Sequence, residues 1–154
     1  MCFYYNKAKK YETYNFLNWK DFDHNWKYSL LRQDYGVLKK EKAVSGNPCN
    51  IKGNVYKNCY GTHAVSKIKL TFKPNFTEFS GACGVDKQCW GTVKFIIKDK
   101  DNNVLFETGV MNRDMEAQKF SVPVKGLDTL FLHVEDGGNG ISCDHADWVD
   151  LELK

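Results

Sequence analysis

Three aspartates, Asp136, Asp144 and Asp147, fall within one short stretch, Asp136-Gly137-Gly138-Asn139-Gly140-Ile141-Ser142-Cys143-Asp144-His145-Ala146-Asp147-Trp148. Carboxylates this close in sequence repel one another, and either a hard cation bound through oxygen or the backbone donors of a tight loop would relieve the strain. The intervening glycines and asparagine give the chain the freedom to wrap either one. Gly/Asn/Asp-rich loops are common between strands, so the stretch alone leaves both solutions open. Two histidines lie close to serines, His63 to Ser66 and His145 to Ser142. A nucleophilic triad would need such pairs to meet in space, which closeness in sequence does not establish. Six cysteines, Cys2, Cys49, Cys59, Cys83, Cys89 and Cys143, show neither a Cys-x-x-Cys pair nor a Cys/His spacing suited to zinc. Cys83 and Cys89 flank a short glycine-containing turn and could close a small ring, while buried free thiols are equally compatible.

The elements that must position these groups read as strands. Leu130, Leu132 and Val134 alternate on one side of the acidic stretch and Val149, Leu151 and Leu153 on the other, so it turns between two strands. Upstream, Ile68, Leu70 and Phe72 alternate with Lys67, Lys69 and Thr71, a half-buried strand with a lysine-bearing outer face. Ser45-Gly46-Asn47-Pro48 is a turn, and Ile51 to Tyr56 a short strand. Phe79 to Val85 is a strand interrupted by Gly81 and Gly84. Val93, Phe95 and Ile97 then run into a hairpin turn before Val104-Leu105-Phe106. Phe120, Val122 and Val124 mark a further strand, in which Pro123 requires an edge or a bulge. Tyr14 to Val37, dense in aromatics, reads as a short helix or irregular segments packed on the sheet. Residues 1–13 read as a flexible or flanking segment. Seven or eight short strands without a long helix describe an all-β sandwich, with a jelly roll the favoured arrangement.

At 154 residues the chain fits one domain with a real core. Its net charge of +3 conceals an asymmetry: residues 1–77 carry 14 basic and 5 acidic side chains, and residues 78–154 carry 8 basic and 14 acidic. Two halves of opposite sign pair naturally within one fold and argue against a nucleic-acid partner. No apolar run is long enough to span a membrane. The triplet Asn75-Phe76-Thr77 is a glycosylation acceptor of the kind found in secreted proteins. No signal peptide is visible, and Met1 runs straight into Cys2-Phe3-Tyr4-Tyr5, as expected of a module cut from a longer secreted or cell-surface chain.

Three motifs stand in one order: Gly61-Thr62-His63-Ala64-x-Ser66, then Phe79-x-x-x-Cys83-Gly84-Val85-Asp86, then Asp144-His145-Ala146-Asp147-Trp148. Between the last two come Gly91-Thr92-Val93-Lys94-Phe95, Leu105-Phe106-Glu107-Thr108-Gly109-Val110-Met111 and Val124-Lys125-Gly126-Leu127-Asp128-Thr129-Leu130. Together they resemble the NPCBM domain, family 51 of the carbohydrate-binding modules, from about Tyr14 to Leu153, which sets the module at 14–154. The resemblance implies a galactose-binding-domain-like jelly-roll sandwich, non-catalytic and usually attached to a secreted glycoside hydrolase. It further implies recognition of terminal galactose or galactose-containing blood-group-type glycans, and a structural calcium ion (Ca2+). The chain departs from the family at Cys59, Cys83 and Cys143, where glycine or apolar residues are usual.

On that footing the sugar site needs an aromatic face for the C–H side of a pyranose and polar groups for its hydroxyls. Trp90, on a loop after Asp86, is the first candidate for that face, against the alternative that it caps the sandwich. Trp26 is the second, while Trp148 belongs in the core. His63 and His145 either donate to hydroxyls or tie loops together through backbone carbonyls and carboxylates. Asp86, Gln88 and Arg113 supply further polar contacts. For calcium the candidate ligands are Asp136, Asn139, Asp144 and Asp147, in a structural role. The expected partner is a galactose-type glycan, met by a monomeric module within a larger protein. The alternative is a protein-interaction or attachment sandwich that has lost its sugar site, favoured if Trp90, His63 and Asp86 do not converge on one cleft. Catalysis is disfavoured, since no nucleophile elbow accompanies the fold.

Overall fold

The computed structural model describes residues 25–154, and the flank at 1–13 together with Trp19, Asp21, Asp23 and His24 lies outside the described residues. Among the described residues there is no helix. The strands are β1 (Trp26–Gln33), β2 (Lys39–Lys40), β3 (Cys49–Ile51), β4 (Asn54–Tyr56), β5 (Cys59–His63) and β6 (Ser66–Phe72), followed by β7 (Glu78–Val85), β8 (Val93–Lys98), β9 (Val104–Glu107), β10 (Gln118–Pro123), β11 (Thr129–Asp136) and β12 (His145–Leu153). They form two five-stranded antiparallel sheets, ordered β1-β6-β11-β8-β9 and β10-β7-β12-β5-β2, with β3–β4 a separate hairpin. This is the all-β sandwich expected from the alternation.

The period-2 pattern explains the layers. On β6, Ser66, Ile68, Leu70 and Phe72 are buried while Lys67, Lys69 and Thr71 are partly exposed, and on β11 Leu130, Leu132 and Val134 repeat the pattern. Aromatic pairs join the sheets across the core. Phe95 of β8 meets Trp148 of β12 edge-on at 5.1 Å, and Trp26 of β1 meets Phe79 of β7 at 6.2 Å. Tyr28 and Tyr60 add a third contact at 5.1 Å. Trp148 is fully buried, as its alternating strand requires.

Several expectations need correction. The segment read as a short helix or irregular contains β1, because Trp26, Tyr28 and Leu30 alternate inward with Lys27 and Ser29 outward. β7 is continuous through Gly81 and Gly84. Gly84 is a close approach and not a break, since a Cβ there would meet Ile51 Cγ2 at 2.7 Å. The stretch from Ile51 to Tyr56 is a hairpin turning at Lys52-Gly53, both at positive φ. Cys83 does not pair with Cys89: it is a buried free thiol, and the disulfides are Cys49–Cys59 and Cys89–Cys143. Pro123 lies on β10, an edge strand, as its missing N–H demands.

Strand register decides where the loops gather. His145 of β12 pairs with His63 of β5, Ala146 with Val85 of β7, and Asp136 of β11 with Val93 of β8. Gln33 of β1 pairs with Ser66 of β6. The connections after β1, β5, β7 and β11 therefore all open at one end of the sandwich, and the β9–β10 connection joins them through the Val93–Met111 bridge.

Candidate functional site

The loop between β7 and β8 is fastened from its first residue. Asp86 is buried; its Oδ2 accepts from Asn50 N and its Oδ1 from Gln88 N, both at 3.1 Å, while its own N–H donates to the His145 carbonyl at 3.1 Å. One carboxylate thus ties the β3–β4 hairpin, its own turn and β12 together. Asp147 is also fully buried, and neither of its oxygens has a hydrogen-bond donor. Burial first, then the neighbouring Asp86 carboxylate, hold Asp147 well above the usual carboxylate range.

Further along, the Cys89–Cys143 disulfide, with Cα atoms 5.2 Å apart, joins this loop to the acidic loop between β11 and β12. Gly91 lies so close that a Cβ there would collide with the Cys143 carbonyl and Asp144 Oδ1. Hydrogen bonds complete the seam: Gly91 N to Cys143 O at 3.1 Å, Thr92 N to Asp144 Oδ1 at 3.0 Å, and Thr92 Oγ1 to Asn139 Oδ1 at 2.7 Å. Asp136 Oδ1 accepts from Gly138 N at 2.6 Å. Burial lifts the Asp144 carboxyl to about 6; the Thr92 N–H opposes the shift and the Asp136 charge adds to it. Its Oδ2 is buried without a partner. Of the four oxygen donors expected for calcium, Asn139 and Asp144 thus meet on Thr92, Asp136 acts on Asp144 through its charge, and Asp147 faces Asp86. Among the described residues, no three His, Cys, Asp or Glu side chains stand together as a metal-holding group.

Trp90 projects from the stapled loop and is 72% exposed. The Arg113 guanidinium lies 3.1 Å from its ring centroid and donates through Nη1 to the Lys87 carbonyl at 3.3 Å. One face of the indole is therefore covered by a cation, leaving the other face and the edge to solvent. Gln88 is exposed beside it, its Oε1 accepting from Asn47 Nδ2 at 2.9 Å.

The histidines form a separate cluster at the same end. His63 is 2% exposed and its Nδ1 donates to the Ala64 carbonyl at 2.7 Å, the loop-tying arrangement. Its ring packs against His145 at 5.5 Å and Tyr35 at 5.2 Å. Burial lowers the pKa of both histidines, and His145 Nδ1 has no partner. Tyr35, at 63% exposed, is the surface aromatic that sequence reasoning passed over; its signal was the Asp34-Tyr35-Gly36 turn directly after an alternating strand. Trp26 sits in the core, its Nε1 donating to the Tyr60 hydroxyl at 3.2 Å. Ser66 is buried, and its Oγ lies 2.7 Å from the Thr62 hydroxyl. Trp90, His63 and Asp86 thus share an end of the sandwich, but of the three only Trp90 reaches the surface.

Against this geometry, the family model for the NPCBM/NEW2 domain matches residues 18–154. The chain belongs to the NPCBM/NEW2 family. Solved structures similar to this NPCBM domain include a CBM51 module of a Clostridium perfringens GH95 protein, in complex with methyl-galactose. It is 30% identical, with a TM-score of 0.74, covering 80% of this chain and 91% of that one. A second, CBM51-2 of Clostridium perfringens ZmpB with GlcNAc, is also 30% identical, with a TM-score of 0.75, covering 85% of this chain and 30% of that one. Among curated proteins, alpha-1,3-galactosidase B of Akkermansia muciniphila is 38% identical over 131 residues, covering 81% of this NPCBM domain. The match spans only 16% of that enzyme's length. The family is one of carbohydrate-binding modules, and in such relatives the NPCBM domain is a part of a larger protein.

Proposed function

We propose that the chain is a non-catalytic module that binds terminal galactose or galactose-containing glycans through the loop end of the sandwich, as an accessory domain of a larger glycoside hydrolase or surface protein. The observation that carries this reading is Trp90: an indole 72% exposed on a loop held by a disulfide and by the Gly91 and Thr92 contacts. An exposed aromatic on rigid backbone presents apolar area at little entropic cost, as the C–H face of a pyranose requires. Arg113 and Gln88 stand ready as polar neighbours, and Tyr35 exposes a second aromatic over His63 at the same end of the sandwich. The similar module solved with methyl-galactose supports the choice of sugar. Two disulfides support an oxidising, extracytoplasmic setting. Titration calorimetry with methyl-galactoside, GlcNAc and blood-group oligosaccharides tests the proposal, and the absence of heat with every sugar, for a protein that still melts cooperatively, would sink it.

A calcium ion at Asp136, Asn139 and Asp144 belongs to the same reading. Its support is the unpartnered Oδ2 of Asp144 beside the Asp136 charge, an arrangement that a hard cation would satisfy together with backbone carbonyls. Asp147, turned toward Asp86, is left out of that ligand set. Melting curves with calcium and with a chelator should differ by several degrees, and coincident curves would remove the ion from the account.

A second reading, attachment to a protein surface without sugar binding, is favoured by the burial of His63 and Asp86. It predicts no response to any glycan, which the same titration reads.

A further inference from the structure

Beside Trp90 the surface opens into a broad groove of about 650 Å³ lined by Lys52, Gly53, Lys87, Arg113 and Asp114. Its charge is lopsided, with three cations against one carboxylate. None of those cations takes part in the ion pairs of the described residues, which are Arg32–Asp34, Lys94–Glu107, Lys154–Glu78 and Lys154–Glu152. Three elements supply them. Lys52 and Gly53 form the tip of the β3–β4 hairpin, Lys87 sits in the β7–β8 loop, and Arg113 belongs to the β9–β10 connection. The hairpin and the loop are fixed to each other by Lys87 N donating to Asn50 O at 2.9 Å and by Asp86 accepting from Asn50 N. Lys52 and Lys87 therefore rise from backbones locked to each other, and Arg113 is tied to them through its side chain.

Arg113 connects this groove to the aromatic. Its guanidinium lies on the Trp90 ring, and its Nη1 donor is anchored on the Lys87 carbonyl, which leaves its remaining N–H donors for a ligand. At the opposite wall Gly53 has a φ of +91°, and a Cβ built there would meet nothing within 4 Å, so the hairpin tip leaves the groove open. A neutral sugar on Trp90 would leave the charges of Lys52 and Lys87 without a counter-charge. A sugar carrying a negative group would place that group among donors whose charges lack partners, and charge-assisted bonds to guanidinium and ammonium are the strong class of hydrogen bond.

We infer that the groove of Lys52, Lys87 and Arg113 is a subsite for an anionic substituent, a sulfate ester or a carboxylate, on the glycan whose sugar ring meets Trp90. The inference rests on the glycan-binding reading above and narrows it to acidic glycans. Both substituents offer planar or tetrahedral oxygens to the same donors, so one pocket chemistry serves either source.

Calorimetry on the full chain at low salt tests it, with methyl galactoside as the neutral probe and 3-O-sulfo-galactoside, 6-O-sulfo-galactoside and sialyl-lactose as the anionic ones. At least one anionic probe should bind about tenfold or more tightly than the neutral one. The advantage should shrink as salt is raised toward 0.5 M. K52Q/K87Q, checked by circular dichroism for an unchanged fold, should lower the anionic-to-neutral affinity ratio severalfold, the remainder being held by Arg113. Preference for a sulfated probe alone or for sialyl-lactose alone supports the subsite and identifies the source. Equal affinity for neutral and anionic probes, or a ratio unmoved by K52Q/K87Q, overturns the inference while leaving glycan binding intact. No binding of any probe removes the glycan-binding reading, and this inference with it.

Discussion

The two disulfides differ in what they close, and that difference fixes an order of stabilities. Cys49–Cys59 spans a sequence separation of 10 and Cys89–Cys143 one of 54. If each acts mainly by restricting the unfolded chain, the shorter bridge contributes about 2.7 kcal/mol and the longer about 4.2 kcal/mol, a gap of about 1.5 kcal/mol from the logarithm of the loop lengths. For a domain of this size that gap is roughly 3–6 °C in melting temperature. Alanine substitution alone would blur the comparison, because Cys49 is fully buried and its removal leaves a cavity, whereas Cys143 is exposed. Each bridge should therefore be measured in the variant that lacks the other. C49A/C59A is melted oxidised and reduced to read Cys89–Cys143 with both thiols in place, and C89A/C143A is treated in the same way to read Cys49–Cys59. The expected result is a larger oxidised-to-reduced drop in C49A/C59A than in C89A/C143A, with sugar affinity falling on reduction only in the former, because only Cys89–Cys143 holds the Trp90 loop. An equal or inverted order would refute the loop-entropy reasoning and point to native-state contacts as the source of the stabilisation.

Other consequences are more direct. W90A should lower the melting temperature by no more than about 4 °C, since the indole is 72% exposed and loses only its Arg113 contact, yet weaken glycan binding by about 2 kcal/mol, roughly thirtyfold by titration. G91A should destabilise by about 1–3 kcal/mol in guanidinium unfolding, because its Cβ meets the backbone of Cys143 and Asp144 as well as the Asp144 carboxylate, and backbone cannot swing aside. His133, half-buried on the outer face of β11 between Lys67 and Lys98, has its pKa pushed down to about 4, by burial first and then by the two ammonium groups. The folded state thus prefers the neutral ring: this group's contribution is complete above pH 6.5 and is lost as pH falls from there toward 4. Unfolding curves across that window should flatten in H133Q, and an unchanged slope would assign the acid limb elsewhere.

The sandwich was legible because β6, β8, β11 and β12 alternate apolar and polar residues, and that pattern depends only on local sequence. β1 was harder. Its inward positions are Trp26 and Tyr28, aromatics that serve equally in irregular segments, and the opposing Phe79 and Tyr60 that fix them as core come from distant sequence. The site was legible in part for the same reason. Trp90 could be placed on a loop from its neighbours alone. The burial of His63 and Asp86 depends on Tyr35, His145 and Asn50, groups brought in from distant sequence, and no spacing announces them. Cysteine pairing was hidden likewise, since Cys89 and Cys143 meet because β7 is the neighbour of β12 and β8 of β11. Lys52 escaped notice because Ile51 to Tyr56 reads as one strand, and a two-residue turn with both residues at positive φ is what makes it a hairpin.

The seam formed by Cys89–Cys143, Gly91 and Thr92 has a kinetic meaning. A ligand arriving at Trp90 finds a loop that has little left to order, so the toll of about 0.5–1.5 kcal/mol for each side chain immobilised on binding is largely absent here. Such a gain is realised in how long a complex lasts rather than in how fast it forms. With the seam intact, a glycan should dwell on this surface for longer than its few contacts would suggest, and cutting the seam should shorten that residence while leaving the encounter rate almost untouched.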